Sequence, residues 1–337
     1  MGYLMLGAEI AKPSGLWESI IYWIESGVLN YGLTIILFTI LLKIVLSPMD
    51  YYIKYSSKKT TLIQKKVSPQ VEKLQKKYGK DQTAFNAQLN ALYKREGLNM
   101  VTSCVVMLLN LVLTLVIFFS VFNSMRDIAS YKMINQYEDL KETYLSYEST
   151  AEAEAAVVAR YNEIKDDFLW INNIWRPDTW STIIPTYKEL NDAVKSSGKT
   201  YKNYVKEEIN EEQYEQIMAP IREENKGWNG YLILAVLVGV LYYVSQKLTE
   251  KSNDIKGVKD PQVPQAQSMA LMKFMLPAIG VIFVITSNSA FGLYLLTSSL
   301  IGTVSSLVIN LLVNKATRKL EEETKQVLLK HEAKLKR

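Results

Sequence analysis

Cysteine and histidine occur once each, as Cys104 and His331. A single cysteine excludes an intramolecular disulfide and a cysteine-built zinc site. A single histidine, set in a charged C-terminal tract, leaves no material for a histidine-dependent triad or a multi-histidine metal centre. No metal or other cofactor is therefore expected. No G-x-x-x-x-G-K-[ST] stretch is present, which removes a P-loop nucleotidase, and neither G-x-S-x-G nor H-E-x-x-H occurs. An intramembrane enzyme would need a nucleophile and a base at depth, and Cys104 without a histidine partner is a poor candidate. No inverted repeat of the transporter kind is visible. The opening MGYLMLGAEI lacks a basic n-region and an apolar core before a small-residue site, so no cleavable signal is expected there.

What is present is apolar length. The 337 residues are 48% hydrophobic, and that content falls into blocks at 33–48, 101–124, 231–246, 274–286 and 290–313. Each is long enough, some only with their flanks, to cross a hydrocarbon core of about 30 Å as a helix. The block 274–286 is short and holds Pro277 and Gly280.

Charge sets the expected direction of the chain. Segment 49–100 carries a net +7, 126–227 a net −7, 247–273 a net +2 and 314–337 a net +4. Five spans place the three positive segments on one side, which the positive-inside rule makes cytoplasmic. The fold class expected is an all-α polytopic membrane protein with five transmembrane helices, N-terminus outside and C-terminus inside, in a bacterial plasma membrane. Its parts are an outer interfacial segment 1–29, a first span 30–48, a cytoplasmic helical hairpin 49–100 and a second span 101–125. An extracellular loop subdomain 126–227, a third span 228–248 and a cytoplasmic loop 249–270 follow. A fourth span 271–287, a fifth span 288–314 and a basic cytoplasmic tail 315–337 complete the chain.

Local patterns fill in these parts. In 14–29, Leu16, Ile20, Trp23, Ile24 and Val28 fall near helical spacing with Glu18 and Glu25 elsewhere. The segment reads either as an amphipathic helix in the outer interface or as a plain lead-in to the first span. In the hairpin, Leu62, Val67, Val71, Leu74 and Tyr78 recur at helical steps, YGKDQ breaks the pattern, and Phe85, Leu89 and Leu92 resume it. Pro69 is expected to perturb the first of these two helices. The acidic runs of 126–227 read as a solvated face on a small, partly folded subdomain. Met269, Met272 and Met275 read as packing, and Pro277 as a kink. The tail lacks stacking aromatics, so any nucleic-acid contact there would be electrostatic and without sequence preference.

The polar residues inside the spans are the sharpest signal. Lys43 sits in TILLKIVLSP, where an ammonium at the bilayer centre costs about 2.5–3.5 kcal/mol on insertion scales. Thr39 and Ser47 flank it at four-residue steps, giving the first span one polar face. Ser103, Asn110 and Thr114 share a face of the second span, and Ser299, Thr303, Ser306 and Asn310 a face of the last. Two readings stand. Three polar faces can enclose a hydrated cavity, or Lys43 snorkels to the interface while the hydroxyls bond to their own helix carbonyls. A small-solute or anion transporter or channel is the alternative function compatible with this set.

The chain resembles the YidC-type membrane protein insertases, which include the mitochondrial Oxa and chloroplast Alb proteins. The resemblance runs through NYGLTIILFTILLKIVLSP, with Lys43 five positions before Pro48 where the family usually has Arg. It continues through Pro69 and Tyr78 and through LYKREGLN at 92–99, which contains Leu92 and Tyr93. Met100 and Ser103 replace a usual Pro and Gly, Cys104 is in place, and Asn110 stands for a common Gln. FLWINNIWRPD at 168–178 is similar to a family Phe-Leu-Trp motif, and Tyr294 follows Pro277 at the family's spacing. Asn288 to Phe291 depart from the usual Pro-Ala-Gly-Leu, Leu295 from Trp and Ser299 from Asn. The resemblance implies an insertase and membrane chaperone with a positively charged, hydrated groove open to cytoplasm and lipid, with Lys43 as its basic residue. It implies nascent membrane proteins as clients in the lipid bilayer. It also implies the ribosome, the signal recognition particle pathway and the Sec translocon as possible partners.

Overall fold

The computed structural model describes residues 12–28, 30–98, 100–196, 209–253 and 278–335. Within these the chain is helical, without a strand. The helices are α1 Leu16–Val28, α2 Tyr31–Tyr78, α3 Gln82–Arg95, α4 Met100–Leu145, α5 Thr150–Ile164, α6 Tyr187–Ser196, α7 Glu211–Glu224 and α8 Ile233–Asn253. A ninth, α9, is described over 278–286, and α10 is Ser289–Leu335. Three helices among the described residues are long and apolar enough to cross a membrane: α2, the Leu111–Leu145 part of α4, and Ser289–Lys334 of α10. In α8, Ile233–Leu248 is a shorter apolar helix. The methionine run 269–275, Pro277 and the loop 254–270 lie outside the described residues.

The first span and the first hairpin helix are one element. α2 runs unbroken for 48 residues through Pro48 and Pro69. A proline inside a helix leaves the carbonyl four residues back without its N–H donor. Each proline here follows a serine. Ser47 Oγ donates to the Ile44 carbonyl at 2.8 Å, and Ser68 Oγ donates to the Lys65 carbonyl at 2.9 Å. Ile44 and Lys65 are the two carbonyls that Pro48 and Pro69 orphan, so the two Ser-Pro pairs repair the breaks they introduce.

The chain divides into two compact units, the first within Met1–Leu41, Phe118–Val240 and Ala278–Ser298, the second within Leu42–Ile117, Leu241–Pro277 and Ser299–Arg337.

In the first unit, the polar half of α4 joins α5, α6 and α7 around Ile134, Tyr137, Leu140, Val157, Tyr161, Leu190, Tyr214 and Ile217. These residues recur at three- and four-residue steps along their helices, so each helix turns one stripe inward. The loop 165–186 is held by polar groups. Arg176, only 5% exposed, forms a bidentate pair with Glu189 at 2.6 and 2.9 Å. Burial alone would push the Glu189 carboxyl up. The Arg176 fork and the Thr186 amide and hydroxyl outweigh it and hold the group below the ordinary glutamate range. Asn173 and Asn229 bond reciprocally: Asn173 N–H donates to Asn229 Oδ1 at 2.7 Å, and Asn229 Nδ2 donates to the Asn173 carbonyl at 2.9 Å. Asp178, 1% exposed, accepts from the amides of Tyr231 at 2.8 Å and Leu234 at 2.6 Å, which caps the start of α8. The first amides of α10 donate to the Arg176 and Ile174 carbonyls. One loop thus fixes the start of two apolar helices.

α1 belongs to the same unit. Its inward face carries Glu18, Ile21 and Ile24. The sequence reading placed Glu25 off the apolar stripe. Here Glu25 accepts from Tyr31 at 2.9 Å and pairs with Lys132 at 3.2 Å. Phe168 of the FLW motif lies over Gly32, where a β-carbon would overlap its ring.

In the second unit, α3 folds back on α2 and closes a helical hairpin. Asp81 caps α3 by accepting from Ala84 N–H at 2.9 Å. Gly97, at φ +75°, ends it: Gly97 N–H reaches the Lys94 carbonyl at 3.0 Å and Leu98 N–H the Tyr93 carbonyl at 2.9 Å. This double bond with a left-handed glycine is the Schellman stop. It turns Leu98 into a core with Ile63, Val67, Leu92 and Tyr93. The C-terminal part of α10 completes the arm. Leu320 and Leu328 pack on Leu62, and Thr324 Oγ1 donates to the Leu62 carbonyl at 3.3 Å. Lys58 pairs with Glu321 at 3.7 Å, and Lys66 with Glu96 at 3.1 Å and Glu323 at 3.4 Å. The tail is read as basic from its net charge. Its glutamates Glu321 and Glu323 face hairpin lysines, while its own Lys315, Arg318, Lys319, Lys325 and Lys330 are exposed.

Candidate functional site

The candidate site lies in the second unit, on facing parts of α2 and α10. Lys43 is half-buried on α2, while its neighbours Ile44 and Val45 are exposed at 64% and 68%. One side of the helix is thus bare hydrocarbon, suited to lipid, and Lys43 is on another. Its ammonium nitrogen lies 4.0 Å from where a side chain would begin at Gly302. The absence of a side chain at 302 leaves room for the lysine head against α10.

Around Gly302, α10 presents hydroxyls. Ser299, Thr303 and Ser306 are all buried. Their three- and four-residue steps put them on the same face as Gly302. Thr303 Oγ1 donates to the Ser299 carbonyl at 2.8 Å, engaging one hydroxyl within the helix. Ser299 Oγ is buried without a hydrogen-bond partner among the described residues. Ser306 accepts a hydrogen bond from Lys54, a second lysine of α2. Toward the other side, Val304, Leu307, Val308 and Leu311 of α10 are exposed. Both helices therefore divide into an apolar outer face and a polar seam, and the seam is where they meet. Such a seam can hold an anionic group against two ammonium groups.

The residues anticipated from the sequence fall into separate places in the fold. Lys43, Ser299, Thr303 and Ser306 come together in this seam. Ser47 lies on α2 between Lys43 and Lys54, its hydroxyl bonded to the Ile44 carbonyl. Thr39 falls in the first unit, fully buried, with its hydroxyl donated to the Ile35 carbonyl at 2.6 Å. Thr114 is exposed. The side chains of Ser103 and Asn110 lie outside the described residues. In the hairpin, Leu92 and Tyr93 are core, Pro69 is buried, and Tyr78 closes α2 half-buried. Sequence reasoning passed over Asp50, Lys54 and Gly302. Spacing was the missed signal: Asp50 and Lys54 are seven and eleven residues beyond Lys43, which returns both to its helix face.

Comparison with known proteins bears on this arrangement. The family model described as 60Kd inner membrane protein matches residues 23–317. An 89-residue stretch is 35% identical to a protein named Membrane protein insertase YidC from Anaeromyxobacter dehalogenans strain 2CP-C, covering 26% of this chain and 16% of that one. A protein of the same name from Caldanaerobacter subterraneus subsp. tengcongensis is 38% identical over 84 residues, covering 25% of this chain and 39% of that one. Another from Ruegeria sp. strain TM1040 is 31% identical over 104 residues, covering 31% and 16%. The matched stretch thus spans well under half the length of each of these relatives.

Proposed function

The chain belongs to the 60Kd inner membrane protein family, and on that premise we propose that it is a membrane protein insertase and chaperone working through the α2–α10 seam. The observation that carries this reading is the placement of Lys43, with its ammonium beside Gly302 on the hydroxyl-bearing face of α10. A client segment with an acidic N-terminal tail enters a groove along this seam. Lys43 attracts its carboxylates and offsets part of the cost of desolvating them. The apolar part of the client then partitions into lipid, which stabilises it by about 25 cal/mol per Å² of apolar area buried. No covalent bond changes. Lysine supplies the charge as a mobile point rather than as the planar fork of arginine, so it holds a carboxylate with less directional preference.

In this reading the protein has five spans, with the N-terminus outside and the C-terminus and hairpin in the cytoplasm, as the segment charges indicate. Ser47 belongs to the groove wall with Ser299, Thr303 and Ser306, and the polar face of Ser103, Asn110 and Thr114 on the second span extends it. The hairpin, whose core Leu92 and Tyr93 supply and whose helices include Pro69 and Tyr78, receives nascent chains on its outer surface, and the exposed cations of the tail approach the ribosome. Delivery by the signal recognition particle pathway and cooperation with the Sec translocon fit the same picture.

The test is insertion of a single-span client with an acidic tail into proteoliposomes. Wild type and Lys43→Arg are expected to insert it. Lys43→Ala is expected to insert it about tenfold less, the equivalent of losing roughly 1.4 kcal/mol of charge attraction. Equal insertion by all three proteins would remove Lys43 from the mechanism. Anion flux through the same vesicles without insertion would replace the insertase reading with a channel.

A further inference from the structure

The face of α2 that holds Lys43 carries an acid as well as a second base. Lys43, Asp50 and Lys54 are separated by seven and four residues. At about 100° per residue, these steps return Asp50 and Lys54 to within roughly 20° of the line through Lys43. Both lysines reach α10, Lys43 beside Gly302 and Lys54 on Ser306. All three charged groups are half-buried. Asp50 lies within electrostatic reach of both cations.

A seam that attracts carboxylates therefore already contains one. A half-buried ammonium without an anion nearby is costly, and two on one face repel each other. Asp50 relieves both costs. It also competes with any incoming acid, because it is tethered to the same helix. We propose that Asp50 is a resident stand-in for the client's carboxylate, offsetting one of the two positive charges of Lys43 and Lys54 in the empty groove and yielding them when an acidic tail enters. Asp50 then sets a threshold for clients: a tail with one acid competes poorly against it, and a tail with two displaces it. This inference rests on the insertase reading for its biological meaning, but the competition itself is a property of the seam.

Two readouts separate the inference from that reading. The first is insertion into proteoliposomes of single-span probes whose tails carry zero, one or two aspartates, by wild type, Asp50→Asn and Asp50→Glu. Asp50→Asn is expected to raise the ratio of one-aspartate to zero-aspartate insertion about fivefold, the order expected for removing one competing charge from a half-hydrated site. Asp50→Glu, which keeps the carboxylate, is expected to match wild type and shows that the position tolerates change. The second readout is binding of a short fluorescent peptide with two aspartates to the protein in nanodiscs, which needs no insertion. Asp50→Asn is expected to tighten it about fivefold, with the gain disappearing at high salt. An unchanged or lowered insertion ratio, together with unchanged or weakened peptide binding, overturns the proposal. If wild type inserts none of the probes, the insertase reading falls, and the peptide measurement alone decides whether Asp50 competes for the anion.

Discussion

The 126–227 segment and the 49–98 hairpin are both helical and both rich in charge, yet they are held together by different means. The first has its own core of a dozen buried residues, drawn from α4, α5, α6, α7 and the loop between α5 and α6. It adds a polar lock of buried Asn173, Asn229, Asp178 and Arg176, the last paired with the exposed Glu189. The hairpin buries five residues between its two helices and is completed by Leu320 and Leu328 of a helix more than 200 residues away in sequence. Its polar contacts are mostly ion pairs with partly exposed partners. A two-helix hairpin has too much surface for its volume to bury a sufficient core. A third helix supplies apolar area, and charge of opposite sign aligns it. The acidic segment recruits four helical pieces and orders its irregular loop with buried hydrogen bonds.

This contrast can be broken at several points, with effects of decreasing size. Ile217→Ala in α7 should cost the 126–227 subdomain about 4 kcal/mol, by lost transfer free energy and a cavity. Loss of amide-exchange protection across α5 and α7 measures it. Asp178→Ala leaves two helix-start amides without a buried acceptor and should cost about 3 kcal/mol, read as early exchange at the start of α8. Acid should act on the same subdomain. The Glu189 carboxyl is held below its ordinary range in the fold. Its contribution is therefore complete above the ordinary glutamate range and is lost as pH falls through the depressed value. Glu189→Gln should flatten that part of the pH–melting curve, and an unchanged curve would count against the Arg176 pair as its source. In the arm, Ser68→Ala leaves the Lys65 carbonyl that Pro69 orphans without a donor and should cost about 1 kcal/mol, with faster exchange near residue 69. Arg318→Ala breaks an exposed pair with Glu322 and should change stability by less than about 0.5 kcal/mol. A larger loss there would mean that surface charge contributes more to the arm than its exposure implies.

Much of this molecule was legible locally. Apolar blocks, helical periodicity and the break at Gly79 mark the helices, because each depends on residues close in the chain; the caps Asp81 and Gly97 are equally local, and the sequence reading passed over both. Lys43 stood out because an ammonium in an apolar run is costly wherever the helix lies. The Ser-Pro pairs were misjudged for a reason that was also local: Pro69 was weighed without the serine beside it, whose hydroxyl replaces the missing donor. Asp50 and Lys54 were passed over because they lie beyond Pro48, where the first span was taken to end, while the helix continues.

What the sequence alone determined is the helical character of the chain, the length of its apolar blocks, the charge of each segment and the place of Lys43 within the first apolar block. Periodicity and composition encode these, and both are sums over neighbouring residues. Only the tertiary structure decided that Arg176 pairs with Glu189, that Asp178 caps α8, that the tail lies on α2, and that Gly302 and Ser306 receive Lys43 and Lys54. Except for the Arg176 pair, whose members are thirteen residues apart, these contacts join residues separated by more than fifty positions, and even that pair crosses an irregular loop. No local period carries such pairings. They are chosen by which buried polar groups and apolar faces can be satisfied together once the helices have packed.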